Sequence, residues 1–332
     1  YLRRRRCCRS VAVLQKYCEK HQRKEDKIML YTEIGGKKIS KMTLGTVQLG
    51  MNYGIANENG QPKEEQSMEM LVNSLDTARA YGNSEDVLGH FLAGVENKPF
   101  ITTKVPMIEE GTDAEVEKFI VESAEASLQR LGVNKVDNIM LHNAANLRFK
   151  PELCAKTMQG LIKRGYTDMV GVSVYTAEDI RLMFNYPEYT ATQIPMSIFD
   201  QRLINDGTVD ELSRRGYTVF VRSVFLQGLF FLDPEKITDP ILCEHAKPRI
   251  IKLREFAEKE GMSIAEMAIS FMRDIPGIAS LVLGADTKEQ VAANAAYFAA
   301  PSVSEDTAAA IRETFRDVNI PEIMKVLSRP KK

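Results

Sequence analysis

Short apolar runs alternate with longer segments of helical period along most of this chain. Residues 42–47, 100–104, 137–141, 168–174, 191–194, 217–223 and 279–283 read as strands, and a further short apolar run ends at Leu75. Between them, residues 114–131, 151–164, 177–184, 208–215, 249–260 and 264–273 read as helices. In the first of these, Phe119, Ile120, Ala124, Leu128 and Leu131 fall on one stripe. Residues 30–39 alternate around Gly35-Gly36, the pattern of a β-hairpin. Eight strands alternating with helices, without internal repeats, predict an α/β fold of the closed (β/α)8 TIM barrel type, preceded by that hairpin.

One interval is short. Only eleven residues separate Glu64 from Asp76, whereas a helix, a turn and a strand together need roughly fifteen or more. Either the first helix is truncated and the second strand frayed, or a segment is absent, and the shortage abuts Asp76.

Charge divides the chain. Residues 1–28 carry ten Lys and Arg against Glu19, Glu25 and Asp26, a net +7, so the formal total of -1 leaves -8 on residues 29–332. The chain therefore reads as a basic extension or linker over 1–28 and a barrel over 29–332. An acidic barrel disfavours a nucleic-acid partner. The extension runs Arg3 to Arg6 into Cys7-Cys8, which suits an acylated arm, a solvated linker or the tail of an upstream domain; Met29 is a candidate start of its own. No apolar run has the roughly 18 residues of a membrane span, and no signal peptide is evident. The five cysteines show neither disulfide-framework nor zinc spacing, so a reducing cytoplasm and no metal are expected.

The chemistry gathers at strand ends. Asp76 follows a strand, Tyr81 lies in the loop after it, before a helix opening at Asn83 or Ser84, and Lys104 and His142 close later strands. In a barrel these ends converge on one face. A phenol beside an ammonium is drawn toward the phenolate, and a carboxylate behind the ammonium holds it charged. Such a tyrosine can protonate a carbonyl oxygen while a hydride reaches carbon, with the histidine orienting that oxygen. Singly, each residue has an ordinary reading as a cap, rim residue or solvated charge. His21, His90 and His245 lack such a setting.

The motif from Asp76 to Gly89, D-T-A-x-x-Y-G-x-S-E-x-x-L-G, together with Thr103-Lys104 and Leu141-His142, resembles the aldo-keto reductase superfamily over residues 39–294. The resemblance implies reduction of an aldehyde or ketone to an alcohol by hydride from NAD(P)H. It makes Tyr81 the general acid, Lys104 the partner that lowers its pKa, Asp76 the residue that fixes Lys104 and His142 the substrate orienter. It also implies that Ser173 and Gln193 bind the nicotinamide amide, although Val174 stands where Asn is common. Ser223, Phe225, Gln227 and Gly228 belong to the implied pyrophosphate loop. Arg222 replaces a stacking tyrosine; its plane can also stack, while its charge suits bound phosphate or an anionic substrate, and an ion pair with a barrel carboxylate is the equal alternative. Gly284, Asp286, Gln290 and Asn294 mark the segment that grips the adenosine end, where a helix N-terminus suits an anion. By resemblance the cofactor is NADP(H); Asp286, with Lys288 as the obvious local cation, leaves NAD(H) open. The partner is a small carbonyl compound. Asn143, Asn146 and Arg148 suit a hydroxylated or anionic substrate, or simply a solvated loop. The rivals are a nicotinamide-nucleotide-binding regulatory barrel and a barrel inactivated by the short stretch before Asp76.

Overall fold

In the computed structural model, residues 29–50 and 72–329 are described. The expectations for residues 1–28, and for most of the short interval after Glu64, lie outside them. Strands β1 (Tyr31–Ile34) and β2 (Lys37–Ser40) form the hairpin, turning through Gly35 and Gly36, both at positive φ. Next come β3 (Met42–Gly45), β4 (Ser74–Asp76), β5 (Phe100–Val105) and β6 (Val136–Leu141). The remaining strands are β7 (Thr167–Ser173), β8 (Ala191–Pro195), β9 (Thr218–Arg222) and β10 (Ile278–Gly284). Strands β3 to β10 close an all-parallel barrel in sequence order, with β10 pairing β3.

The hairpin plugs the floor. Ile34 and Ile39 pack with Phe100, Met140, Ala191 and Phe220, a cluster separate from the main core. Above it, the Thr43 hydroxyl lies 2.8 Å from that of Ser74 and 2.7 Å from that of Ser280, so small hydroxyls fill the barrel where bulk would not fit. The main core lies between strands and helices. Ile120, Ala124, Leu128 and Leu131 of the helix Asp113–Leu131 are buried, while Phe119 on the same stripe is only partly so. A Thr112–Glu115 capping box starts that helix and Gly132, at φ 63°, ends it.

The second barrel strand is short, as the sequence indicates, but not unpaired. Its three residues register with β3 through Leu44↔Leu75 and with β5 through Ser74↔Phe100 and Asp76↔Thr102. The barrel is therefore closed on both sides of Asp76. The first barrel strand, β3, is shorter than its apolar run: it ends at Gly45, and Val47–Gly50 turns into a short helix over the mouth. The later helices Pro240–His245, Glu305–Thr314 and Ile320–Leu327 complete the outer layer.

Candidate active site

Asp76 ends β4 and Lys104 lies within β5, both nearly inaccessible to solvent. The Lys104 ammonium donates to Asp76 Oδ1 at 2.6 Å and to the Thr77 carbonyl at 3.0 Å. It also lies 5.1 Å from the centroid of the Tyr81 ring. The Tyr81 and His142 rings meet edge to face, 5.4 Å apart. Residues from three strand ends and one loop thus form a single cluster.

The electrostatics depart from the sequence expectation in one respect. Burial is the largest influence on Tyr81 and lifts its phenol above the ordinary value; Lys104 and Arg222 pull it down without overcoming that rise. Burial likewise opposes the charge on Lys104, but Asp76 and then Tyr81 outweigh it and hold the ammonium above the usual lysine value. Burial, reinforced by Lys104 and Arg222, pushes His142 down to about 3, so its imidazole is neutral at physiological pH. The group is a protonated phenol, a charged lysine and a neutral histidine.

Each motif residue after Tyr81 has a local task. Gly82 has φ 56°, and a Cβ there would stand 2.3 Å from the Gly50 carbonyl oxygen, so the Tyr81 loop crosses the end of the first βα loop at a spacing that glycine alone permits. Asn83 precedes the helix Ser84–Ala93 without capping it through its side chain. The Ser84 hydroxyl instead lies 2.8 Å from that of Thr46 and donates to the Thr46 carbonyl. Buried Glu85 accepts from Thr103 Oγ1 at 2.6 Å and from Arg130 Nε at 2.7 Å. Gly89 lets the helix approach the Arg130 carbonyl, which a Cβ would meet at 2.1 Å. The Tyr81 loop is clamped to the end of β3, to β5 and to the helix Asp113–Leu131.

A cavity of about 540 Å³ opens over the C-terminal strand ends, within the usual size of a small-molecule site. Every predicted site residue except Lys104 lines it. Lys104 lies beneath, in contact through Asp76. Ser173 and Gln193 are register partners on β7 and β8, and Gln193 Nε2 donates to Asp76 Oδ2 at 2.7 Å. After β9, Ser223, Leu226, Gln227 and Gly228 all have positive φ, three of them non-glycine, so this loop is held in a sparsely allowed conformation. Phe230 anchors it from behind, 4.7 Å from the Phe199 ring, which is in turn 4.9 Å from Phe315.

Arg222 forms no ion pair with a carboxylate among the described residues; its guanidinium lies 4.4 Å above the Tyr175 ring, and Nη2 is buried without a hydrogen-bond partner. The helix Lys288–Tyr297 is less open to an anion than its position suggests. The Thr287 hydroxyl accepts the Gln290 N–H, and the Gln290 side chain accepts the Asp286 N–H at 2.6 Å. Asn294 donates to the Gly284 carbonyl. Asn143, Asn146 and Arg148 do not line the cavity: Asn143 accepts from the Ala145 N–H, Asn146 donates to the Ile108 carbonyl, and Arg148 pairs with Asp179 and Glu178.

Sequence reasoning gave no ligand role to several other lining residues, among them Gln48, Tyr175 and Phe231. Gln48 and Tyr175 each sit just past the C-terminal end of a barrel strand, on the face where the cavity opens, and that position is the signal that identifies them. Gln48 Oε1 is a second buried atom without a partner. No helix among the described residues is long and apolar enough to cross a membrane, and none of their side chains cluster as a metal site.

The aldo/keto reductase family pattern matches residues 41–315. The chain is 25% identical over 295 residues to a Schizosaccharomyces pombe protein provisionally named a voltage-gated potassium channel beta subunit, covering 78% of this chain and 84% of that one. It is 23% identical over 310 residues to L-glyceraldehyde 3-phosphate reductase of Escherichia coli, covering 80% and 85%. In fold it resembles an aldo-keto reductase of Bacillus halodurans in its holo form, with a TM-score of 0.70, 20% identity and coverage of 86% and 96%. Barrel, motif and family match agree, and the chain belongs to the aldo/keto reductase family of carbonyl-reducing oxidoreductases.

Proposed function

We propose that the protein reduces an aldehyde or ketone to an alcohol with a nicotinamide cofactor, using Tyr81 as general acid. The observation that carries this reading is the junction of Asp76, Lys104, Tyr81 and His142 at the cavity floor. The cofactor, when bound, supplies the hydride, which no side chain can. Tyr81, protonated across the neutral range, donates its proton to the carbonyl oxygen. Lys104 stabilises the phenolate left behind, and Asp76 keeps Lys104 charged and oriented. His142, neutral, donates a hydrogen bond that aligns the oxygen without competing as an acid.

The cavity suits such a cofactor chemically. It combines aromatic walls from Tyr175, Phe225 and Phe231 with two buried, unpartnered polar atoms, on Arg222 and Gln48. Ser173 and Gln193 are assigned to the nicotinamide amide, Arg222 to its ring face, and Ser223, Phe225, Gln227 and Gly228 to the pyrophosphate. Gly284, Asp286, Gln290 and Asn294 are assigned to the adenosine end. Family membership favours NADP(H); the acidic Asp286 keeps NAD(H) in contention. The free Cys154 and Cys243 support a cytoplasmic setting. The substrate is a small carbonyl compound. The test is Tyr81→Phe, expected to lower kcat about 10²- to 10⁴-fold while leaving cofactor affinity within twofold; near-full activity overturns the assignment.

The second reading is a nicotinamide-nucleotide-sensing regulatory barrel, favoured by the channel-subunit name of one relative. Cofactor binding without turnover across a broad carbonyl panel would establish it. A barrel disabled before Asp76 is disfavoured by the complete pairing of β4 and by the two partners of the Asp76 carboxylate.

A further inference from the structure

Two cations stand at the acid end of the cavity, and they are not alike. The charge of Lys104 is matched by Asp76 at 2.6 Å. The charge of Arg222 is matched by no carboxylate among the described residues: its guanidinium donates to Ser223 Oγ at 3.4 Å, lies on the Tyr175 ring and leaves Nη2 buried without a partner. Its field nevertheless reaches both Tyr81 and His142. An uncompensated positive charge therefore sits beside the reacting atoms.

This matters because the reaction changes the charge at that place. The proposed reduction moves a hydride, with its electron pair, from the dihydronicotinamide to the carbonyl carbon, while the Tyr81 proton passes to the oxygen. The C–H bond of the donor ring breaks, the C–H and O–H bonds of the alcohol form, and solvent returns a proton to Tyr81. The donor ring is neutral before the transfer and positively charged after it. A ring that delivers hydride to a carbon whose oxygen faces Tyr81 would lie within the field of Arg222. A guanidinium tolerates a neutral ring and repels a cationic one.

We infer that Arg222 makes this site discriminate between the redox forms of its cofactor, binding the reduced form more tightly than the oxidised one. The inference rests on the carbonyl-reductase reading above and adds to it a determinant of product release: the spent cofactor leaves a site that no longer accommodates its charge. Tyr175, whose ring centroid lies 4.4 Å from the guanidinium, serves as the positioning residue.

Calorimetric titration of the purified chain with NADPH, NADP⁺, NADH and NAD⁺ tests this. The reduced form of the preferred cofactor is expected to bind at least about tenfold more tightly than its oxidised form, about 1.4 kcal/mol. Arg222→Gln keeps a planar group without the charge and should bring the ratio of the two dissociation constants to within about threefold of unity; Arg222→Lys should retain most of it. Thermal melts without ligand establish that both variants fold. A ratio unchanged in Arg222→Gln overturns the inference, as does equal weakening of both forms, which would make Arg222 a phosphate ligand. Failure of the unaltered chain to bind any of the four removes the reductase reading as well, so the two failures are distinct.

Discussion

Gln193 and Asp76 join across the barrel. They lie on β8 and β4, opposite strands of the eight, and the amide of one donates to Oδ2 of the other at 2.7 Å while Lys104 holds Oδ1. The aspartate is therefore fixed from two sides, and Gln193 is a positioning residue as well as a proposed cofactor ligand. Gln193→Leu should cost about 1.5–3 kcal/mol of stability, the range for a hydrogen bond to a charged group. Urea unfolding reads this, and a loss under 0.5 kcal/mol would show that the bond does not constrain Asp76.

Lys104→Met removes one partner of a buried pair and should destabilise the chain by about 3–5 kcal/mol, because it strands the Asp76 carboxylate. Asp76→Asn in the same background removes the stranded charge. The double variant should be more stable than Lys104→Met alone, a non-additivity that a double-mutant cycle measures. Simple additivity would mean that the two residues act independently.

His142 predicts a pH dependence of stability. Its imidazole titrates at about 3 in the folded chain against an ordinary 6.5, so the unfolded chain binds a proton that the folded one refuses between these values. The contribution is present above pH 6.5 and is lost as pH falls toward 3, with a slope of up to about 1.4 kcal/mol per pH unit. His142→Gln should flatten that part of the profile in denaturant titrations at successive pH values. An unchanged slope would place the dependence on other groups.

Cofactor choice is readable from heat stability. A nucleotide that binds only the folded chain at 100 times its Kd adds about 2.7 kcal/mol. If Asp286 dominates the adenosine end, NADH should raise the melting temperature more than NADPH at equal concentration. Asp286→Ser should narrow the gap. A larger rise with NADPH would show that cations elsewhere at that end outweigh the carboxylate.

The fold was legible because its periods are regular. Each predicted strand overlaps a barrel strand, and the four groups at strand ends converge because barrel closure brings such ends together. The net position of the Tyr81 phenol was not legible: the downward pull of Lys104 can be read from a motif, whereas burial, here the larger influence, depends on the whole mouth. The cradle behind Phe230 was invisible for a similar reason: Phe199, Phe230, Phe256 and Phe315 are remote in sequence, and only the packed chain makes them neighbours. Arg148 shows the opposite error. A cation after a strand looks available until the helix Ala177–Met183 supplies Asp179.

The cross-barrel bond from Gln193 to Asp76 gives the acid a reach beyond its own loop. Lys104 arrives from β5 and Gln193 from β8, so the state of Tyr81 depends on strands far apart in the chain keeping their places. A fragment ending before β8 would retain the entire signature motif and yet lack one of the two hands on its aspartate. In this protein the setting of Tyr81 is a property of circumference: a loosened seam on the far wall would displace the Asp76 carboxylate, and with it the Lys104 ammonium, before it was seen as altered shape.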